Sequence, residues 1–373
     1  MKWSLVHRRH VAALGLALVT IVPVAHAQQQ GGERPGANGA RPRPAAPRTR
    51  ADSLYVSADP ADHPQRDHAK DVTGRVETDS IYAARSNGVM KYEKITYKSS
   101  AGGMMIPAYV YQPLSPRGPR AHAALVFVHG GVHGRWTESY LPFVKEAVQK
   151  GYVVIAPDYR GSTGYGADHY NAIDYGGWEV DDVRSAVDYL KSLPIVDPDR
   201  IGVMGWSHGG MIASLLLFDE KTPFKSGAAI VPVSNLVFRL GYKGPRYARS
   251  FATQARLRGL PHEKNDEYIK RSPVYNVEKL RVPILVHVAT NDEDVNYVED
   301  VQLVWALRSQ KPELAETKVY VDPTPGPVSV GHTFSRRVNP TTLERDDSPE
   351  QIDSWNLTWA FFERTLNPER GGR

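Results

Sequence analysis

The sequence predicts an α/β fold in which one mostly parallel central sheet carries helices on both faces. Three observations lead to this class. Short, fully apolar runs of strand length alternate along the chain with longer stretches of helical length. Such uniformly apolar runs are typical of strands that are buried on both sides. No internal repeat or second core interrupts the pattern, and the chain has no cysteine, so packing rather than disulfides must stabilise the fold.

The first predicted elements form a hairpin. The strands Glu93 to Lys98 and Ile106 to Tyr111 are joined by a turn at Gly102-Gly103. Further strands are predicted at residues 123–128, 152–156, 201–204, 228–231, 283–288 and 317–321. Helices are predicted at residues 140–150, 178–193, 210–218, 298–309 and 351–366. The polar segment from Asn235 to Arg271 is the largest excursion from this pattern, and we expect it beside the rim of a site.

Residues 1–27 are predicted to be a secretory signal peptide. Basic residues precede a mostly apolar run from Val11 to Val24, and Ala25-His26-Ala27 matches a cleavage site. The apolar run is shorter than the roughly 20 residues that a bilayer-spanning helix needs, so no transmembrane anchor is expected. The chain is therefore expected to be exported, either secreted or periplasmic. The general route is favoured, and Arg8-Arg9 leaves a twin-arginine route as the alternative.

Residues 28–50 are predicted to be a disordered tether rich in Gly, Pro and Arg. The formal charge of the whole chain is +5, but the signal peptide carries +3 and the tether +4, so the remainder is −2. This distribution gives no electrostatic case for nucleic-acid binding. Attachment of the tether to an anionic surface is an alternative role. Residues 51–90 are predicted to be transitional, with a possible short helix at 79–85, and residues 91–373 form the α/β domain.

A nucleophile elbow is predicted at Gly205-Trp206-Ser207-His208-Gly209. It follows an apolar strand and opens an apolar helix, the setting in which a GxSxG turn presents its serine at the edge of a sheet. The two glycines leave the space that so tight a turn requires. The alternative is a glycine-rich connection with an incidental serine. The context favours Ser207 as the nucleophile of an α/β-hydrolase fold.

A serine nucleophile needs an imidazole base and a carboxylate that fixes the tautomer of that imidazole. In α/β-hydrolases these residues follow the serine in the order acid, then histidine. The acid is Asp292 or Asp294, both of which come just after the apolar strand 283–288. The acid that is not used has the alternative role of a solvated loop residue or helix cap. His332 is the one histidine beyond these acids, so it is the candidate base.

Two backbone amides are predicted to stabilise the oxyanion that forms during acyl transfer. One belongs to His208, and the other to Gly131 in the loop His129-Gly130-Gly131-Val132-His133-Gly134, with Val132 as the alternative. Although His129 and His133 are four residues apart, this glycine-rich loop is not a helix and offers no third ligand, so no metal site is predicted. The absence of cysteine excludes thiol catalysis. We expect no cofactor.

Several separated motifs follow one another between Lys91 and Leu366. They are the loop Asp158 to Gly166, the segment Gly176 to Asp182, the elbow with its following Gly210, and Ser272-Pro273. Together with the candidate serine, acid and histidine, these motifs resemble the prolyl oligopeptidase family of serine peptidases. The resemblance implies peptide-bond cleavage through an acyl-enzyme on Ser207. It favours Asp292 as the acid, because the acid of related enzymes commonly precedes a valine by three positions. It also implies that Tyr159 and Arg160 build the rim of the site.

The sequence departs from the family in ways that bear on the substrate. Family members commonly carry an N-terminal β-propeller that restricts entry to short peptides, and residues 28–90 are too few to form one. The paired glutamates with which aminodipeptidases hold a substrate amino terminus are not identified, and Val288 stands where the family usually has glycine. A carboxylesterase acting on small or carbohydrate-linked esters is therefore an alternative. A non-catalytic binding module is a third possibility.

Overall fold

Eight strands of the described chain form one sheet in the order β1-β2-β4-β3-β5-β6-β7-β8. They are β1 (Lys91–Lys98), β2 (Met105–Gln112), β3 (His122–Val128), β4 (Val153–Pro157), β5 (Val196–Trp206), β6 (Ser226–Ile230), β7 (Ile284–Ala289) and β8 (Ala315–Tyr320). This computed structural model describes residues 66–254, 256–324 and 331–367, all within the unit that begins at Arg48. The predicted signal peptide and tether lie outside these residues and stay predictions.

The strands from β3 to β8 are all parallel to one another. The predicted hairpin pairs β1 with β2 antiparallel, and β2 in turn runs antiparallel to β4. Its turn is made by Gly102 and Gly103, which both have a φ of +68°, a conformation that glycine adopts without steric cost. The mostly parallel sheet confirms the predicted fold class. It also places the loops after β5, β7 and β8 at one edge of the sheet.

Helices cover both faces of this sheet. They are α1 (His68–Ser86), α2 (Leu141–Gln149), α3 (Ala167–Asn171), α4 (Trp178–Ser192), α5 (His208–Leu217), α6 (Leu236–Lys243), α7 (Pro245–Ala252), α8 (Asn265–Lys270), α9 (Tyr297–Gln310) and α10 (Pro349–Leu366). One apolar cluster joins the sheet to α4, α5 and α9, and a second joins its other face to α2 and α10. Within the described ranges, no helix combines the length and apolarity needed to cross a bilayer.

Helix α1 is longer than the short helix that the sequence predicts at residues 79–85. It begins at His68, where the Asp67 side chain caps it by accepting a hydrogen bond from the Lys70 amide. Its buried residues are Arg75, Thr78, Tyr82 and Ser86. Because three of the four are not hydrophobic, the buried face carries no apolar periodicity that sequence reasoning could detect.

The polar excursion after β6 folds into α6, α7 and α8. Its apolar side chains form a third cluster with Met211 on α5, so the excursion packs beside the helix that follows the predicted nucleophile. The excursion carries a buried cation, Arg239, which forms an ion pair with the buried Glu299 on α9. This arrangement agrees with the expected position beside the site.

The junction of β5 with α5 is packed backbone against backbone. A Cβ atom added to Gly209 would lie 2.3 Å from the Val128 carbonyl oxygen at the end of β3, and one added to Gly205 would lie 2.2 Å from the Gly209 carbonyl oxygen. Backbone atoms cannot yield as the end of a flexible side chain can. No residue larger than glycine fits at either position without moving a strand or the helix.

Gly209→Ala should therefore destabilise the fold, and Gly241→Ala should not. The overpacking at Gly209 is expected to lower the free energy of unfolding by about 1–3 kcal/mol. Gly241 lies exposed within α6 with no atom near its added Cβ, so alanine there should raise that free energy by about 0.5–1 kcal/mol. Urea unfolding of the two variants and the wild-type protein measures both changes in the free energy of unfolding. Equal free energies of unfolding for Gly209→Ala and Gly241→Ala would show that the junction of β5 with α5 tolerates a side chain.

Candidate active site

Ser207 occupies the turn between β5 and α5. Its φ of +57° and ψ of −121° are unusual for a residue with a side chain. Such a conformation costs of order 1–3 kcal/mol and occurs mainly at functional sites. The Ser207 amide donates to the Ile230 carbonyl at 2.9 Å, which ties the turn to the neighbouring strand β6. The predicted elbow is thus a strained strand-to-helix turn, as the GxSxG geometry requires.

His332 and Asp292 form a buried pair. The Asp292 carboxylate accepts a hydrogen bond from His332 Nδ1 at 2.7 Å. Its other oxygen accepts from the backbone amides of Asp294 and Val295, both at 2.9 Å. The carboxylate is therefore fixed in place by its own loop. This pairing assigns the proton of a neutral imidazole to Nδ1 and leaves Nε2 able to accept one.

Asp294 lies on the opposite side of the same imidazole. One carboxylate oxygen is 3.4 Å from His332 Nε2, and the other forms an ion pair with Lys243 at the end of α6. Burial acts to raise the pKa of Asp294, but the His332 ring and the Lys243 ammonium outweigh it and hold the pKa below its ordinary value. In the described residues no hydrogen bond joins the Ser207 hydroxyl to His332. Asp294 instead faces the nitrogen that a serine proton would reach.

The loop after β3 lies directly against the serine. A Cβ atom added to Gly130 would lie 3.2 Å from Ser207 Cβ. The Gly130 amide donates to the Tyr140 hydroxyl at 3.1 Å and is therefore occupied. In the described residues the amide of Gly131, at a φ of +77°, and that of Val132 have no acceptor. Both remain available as oxyanion donors.

The His208 amide is the second predicted donor. His208 is the first residue of α5, so its N–H has no acceptor within the helix. The His208 side chain points into the protein and is buried with Glu179, whose Oε1 is 3.5 Å from Nε2. Burial lowers the pKa of His208 to about 3 and raises that of Glu179 to about 8, so this contact is neutral rather than ionic. In the described residues neither ring nitrogen of His208 has a hydrogen-bond partner, so the imidazole is held in place by packing, its ring against Tyr175 among others.

Tyr159 contacts the predicted oxyanion loop (residues 129–134, called the oxyanion loop) from the interior of the protein. Its hydroxyl donates to the Gly131 carbonyl at 2.9 Å, and its ring stacks on His129 at a centroid distance of 4.3 Å. Arg160 is likewise buried and pairs with Asp182 on α4, with Nη2 and Oδ1 2.6 Å apart. Both residues belong to the motif that suggested a rim. Both are buried, and their contacts join the loops that flank Ser207 to the body of the domain.

Both histidines of the oxyanion loop are engaged by other protein groups. His129 Nε2 lies 2.9 Å from the Ser162 hydroxyl, and His133 Nδ1 lies 2.7 Å from the Gly161 carbonyl. Burial lowers the pKa of His129 to about 4, which keeps the ring neutral. In the part of the chain that the structure describes, no group of three or more His, Asp or Glu side chains could hold a metal ion.

The strained serine turn after β5, the acid after β7 and the histidine after β8 all lie at one edge of a mostly parallel sheet. This is the arrangement of an α/β-hydrolase fold. The chain belongs to the prolyl oligopeptidase family, whose family model matches residues 139–326.

Comparisons with individual proteins agree with the family. An uncharacterized peptidase, YuxL of Bacillus subtilis, is 29% identical over 266 residues, which cover 70% of this chain and 38% of YuxL. Dipeptidyl aminopeptidase BIII of Pseudoxanthomonas mexicana is 30% identical over 190 residues, or 50% and 28% of the two chains. The acylaminoacyl peptidase of Pyrococcus horikoshii superposes with a TM-score of 0.59 at 19% identity, over 78% and 45%. The matched part of the chain spans between 28% and 45% of the length of these relatives.

Replacing each candidate acid by asparagine should affect the reactivity of Ser207 to very different extents. Asp292→Asn should slow the labelling of Ser207 by a serine-directed phosphonate about 10³- to 10⁴-fold, because the imidazole loses its tautomer control. Asp294→Asn should change the rate by no more than about tenfold, since the 2.7 Å contact to Nδ1 remains. Labelling kinetics on folded variants checks this, with circular dichroism as the folding control. A larger loss in Asp294→Asn would reassign the acid.

Proposed function

We propose that this protein is a serine peptidase that cleaves peptide bonds through an acyl-enzyme on Ser207. The observation that carries the proposal is the buried His332–Asp292 pair at the edge of the sheet that also presents the strained Ser207 turn. Relatives named as acylamino-acid-releasing enzymes and as a dipeptidyl aminopeptidase support peptides as the substrate class. Acyl transfer is the chemistry that such a constellation serves.

In the acylation step, Ser207 Oγ attacks the carbonyl carbon of the scissile bond and His332 Nε2 takes the hydroxyl proton. Asp292 stabilises the imidazolium that forms, without itself taking the proton. The negative charge on the former carbonyl oxygen is stabilised by the amides of His208 and Gly131, and each such donor contributes about 3–4 kcal/mol. The tetrahedral intermediate collapses when the C–N bond breaks, and His332 returns the proton to the leaving amine.

In the deacylation step, a water molecule takes the place of the amine. His332 Nε2 removes its proton, hydroxide adds to the acyl carbon, and the bond to Ser207 Oγ breaks with return of the proton. In both steps Nε2 must face the serine rather than Asp294. The mechanism therefore requires Nε2, which lies 3.4 Å from Asp294, to form a hydrogen bond with Ser207 Oγ, and catalytic hydrogen bonds often tighten only when a substrate is bound.

Export completes the proposal. The basic start, apolar run and Ala25-His26-Ala27 site support cleavage after Ala27. Expression of the full chain in a Gram-negative host should yield a periplasmic or secreted protein that starts at Gln28, whereas a chain without residues 1–27 should remain in the cytoplasm. Cell fractionation with N-terminal sequencing checks this expectation. Retention of the uncleaved chain in the cytoplasm would contradict export.

The central test compares two substrate classes on the mature protein. Aminoacyl p-nitroanilides should be cleaved, and Ser207→Ala should reduce turnover by at least about 10³-fold because the nucleophile is lost. Steady-state assays with p-nitrophenyl esters run beside them. Ser207-dependent turnover of esters alone would make the protein a carboxylesterase. Absence of Ser207-dependent turnover on both classes would contradict the peptidase and favour a binding module.

A further inference from the structure

Arg75 on helix α1 is buried against the chain that leaves the oxyanion loop. Arg75 is 2% exposed, although it lies on a helix whose composition is mostly polar. A buried guanidinium is stable only when partners compensate its charge and satisfy its donors. Its partners all belong to the sheet or to the loops around the proposed site. This residue therefore links the N-terminal helix to the site.

Arg75 and Asp158 together hold the backbone of Trp136 through its carbonyl and its amide. Arg75 Nη1 donates to the Trp136 carbonyl at 2.6 Å, and Asp158 Oδ1 accepts from the Trp136 amide at 2.6 Å. The two side chains are joined by an ion pair, with Arg75 Nη2 2.8 Å from Asp158 Oδ2. Nη2 lies close to the carboxylate without an aligned hydrogen bond, and Nε likewise has no hydrogen-bond partner in the described residues, so the ion pair compensates the charge while Nη1 forms the hydrogen bonds. The chain that leaves the oxyanion loop is thus fixed on both its donor and its acceptor side.

The same carboxylate reaches the beginning of the loop. Asp158 Oδ1 lies 3.4 Å from His129 Nε2, and both side chains are fully buried. His129 comes directly before Gly130 and Gly131, whereas Trp136 comes two residues after Gly134. One buried ion pair therefore contacts the loop at its entry and at its exit. A shift of Asp158 would be transmitted to the amide of Gly131 from both ends.

Other turns of α1 contact the same stretch of chain. The Thr78 hydroxyl donates to Glu138, and the Tyr82 hydroxyl donates to the Thr137 carbonyl at 2.8 Å. One turn earlier, the Asp71 carbonyl accepts from the Arg135 guanidinium at 3.4 Å. With Arg75, these residues lie along one face of the helix at spacings of three and four. This face of α1 lies against residues 135–138, where the chain leaves the oxyanion loop.

We infer that Arg75 is a positioning residue for the oxyanion loop, so that α1 is part of the catalytic apparatus although it lies outside the family match at residues 139–326. The inference rests on the proposed function, because it concerns the geometry of the Gly131 donor. Arg75 touches no substrate and acts through Asp158 and Trp136. It sets where the amide of Gly131 stands relative to Ser207.

The test compares Arg75→Lys with Arg66→Lys in the full-length protein. Lysine at position 75 keeps the charge but lacks the planar fork that contacts Trp136, Tyr109 and Asp158 together. Arg66 forms an exposed ion pair just before the same helix and is the matched control. Arg75→Lys should lower kcat on a p-nitrophenyl ester about 10- to 100-fold, with KM changed less than about threefold. Arg66→Lys should change neither.

Hydrogen exchange provides a readout that does not depend on activity. In Arg75→Lys, amides of residues 129–138 should exchange several-fold faster, whereas those of β7 and α10 should not change. If Arg75→Lys fails to fold, the double variant Arg75→Met/Asp158→Asn removes both charges and should fold with the same local loss of protection. Unchanged kcat and exchange in a folded variant, or loss of protection throughout the domain, would overturn the inference. A wild-type protein without Ser207-dependent turnover would contradict the proposed function, while the exchange comparison would still decide whether Arg75 orders the loop.

Discussion

The close approach of the turn after β5 to the end of β3 is the constraint on which the site depends. Gly209 lies against the Val128 and His129 carbonyls, and Gly130 lies against Ser207. No side chain separates these backbones, so the serine, the start of α5 and the oxyanion loop have fixed relative positions. Strain at Ser207 persists because this packing over-determines it. This backbone packing limits how far the predicted oxyanion donors can move relative to Ser207, and the buried side chains behind the loop act within that limit.

Buried ion pairs are a second constraint on the arrangement of the loops. Four arginines (75, 160, 239 and 271) each pair with a buried carboxylate, respectively Asp158, Asp182, Glu299 and Asp174. Such pairs add little net stability, because desolvation offsets most of the Coulomb attraction. They do penalise any alternative arrangement that would leave one charge unpaired. These pairs therefore favour the observed arrangement of the segments that they join.

Much of the fold and the candidate site could be predicted from the sequence, because the signals were local. Apolar runs located the strands, and the elbow motif with the order of acid and histidine indicated three side chains that the structure brings to one edge of the sheet. The order of residues could not decide between Asp292 and Asp294 as the acid, because both follow β7. The fold shows that Asp292 faces Nδ1 of His332 and that Asp294 faces Nε2. The length of α1 and the role of Arg75 could not be predicted, since their partners lie 34 to 83 positions away. The contact between Asp294 and Lys243 likewise depends on how the excursion folds back.

The placement of α1 also has a consequence for how this domain can be divided. A fragment beginning at β1 would retain the complete sheet, the elbow, the acid and the histidine. It would nevertheless remove the guanidinium that pairs with Asp158 and leave that carboxylate with its hydrogen bonds from Trp136 and Tyr165 alone. A buried carboxylate that loses its counter-ion is destabilised even when it keeps hydrogen bonds to neutral donors. In this protein, the smallest piece of chain that preserves the electrostatics of the site is therefore larger than the smallest piece that contains its reacting groups.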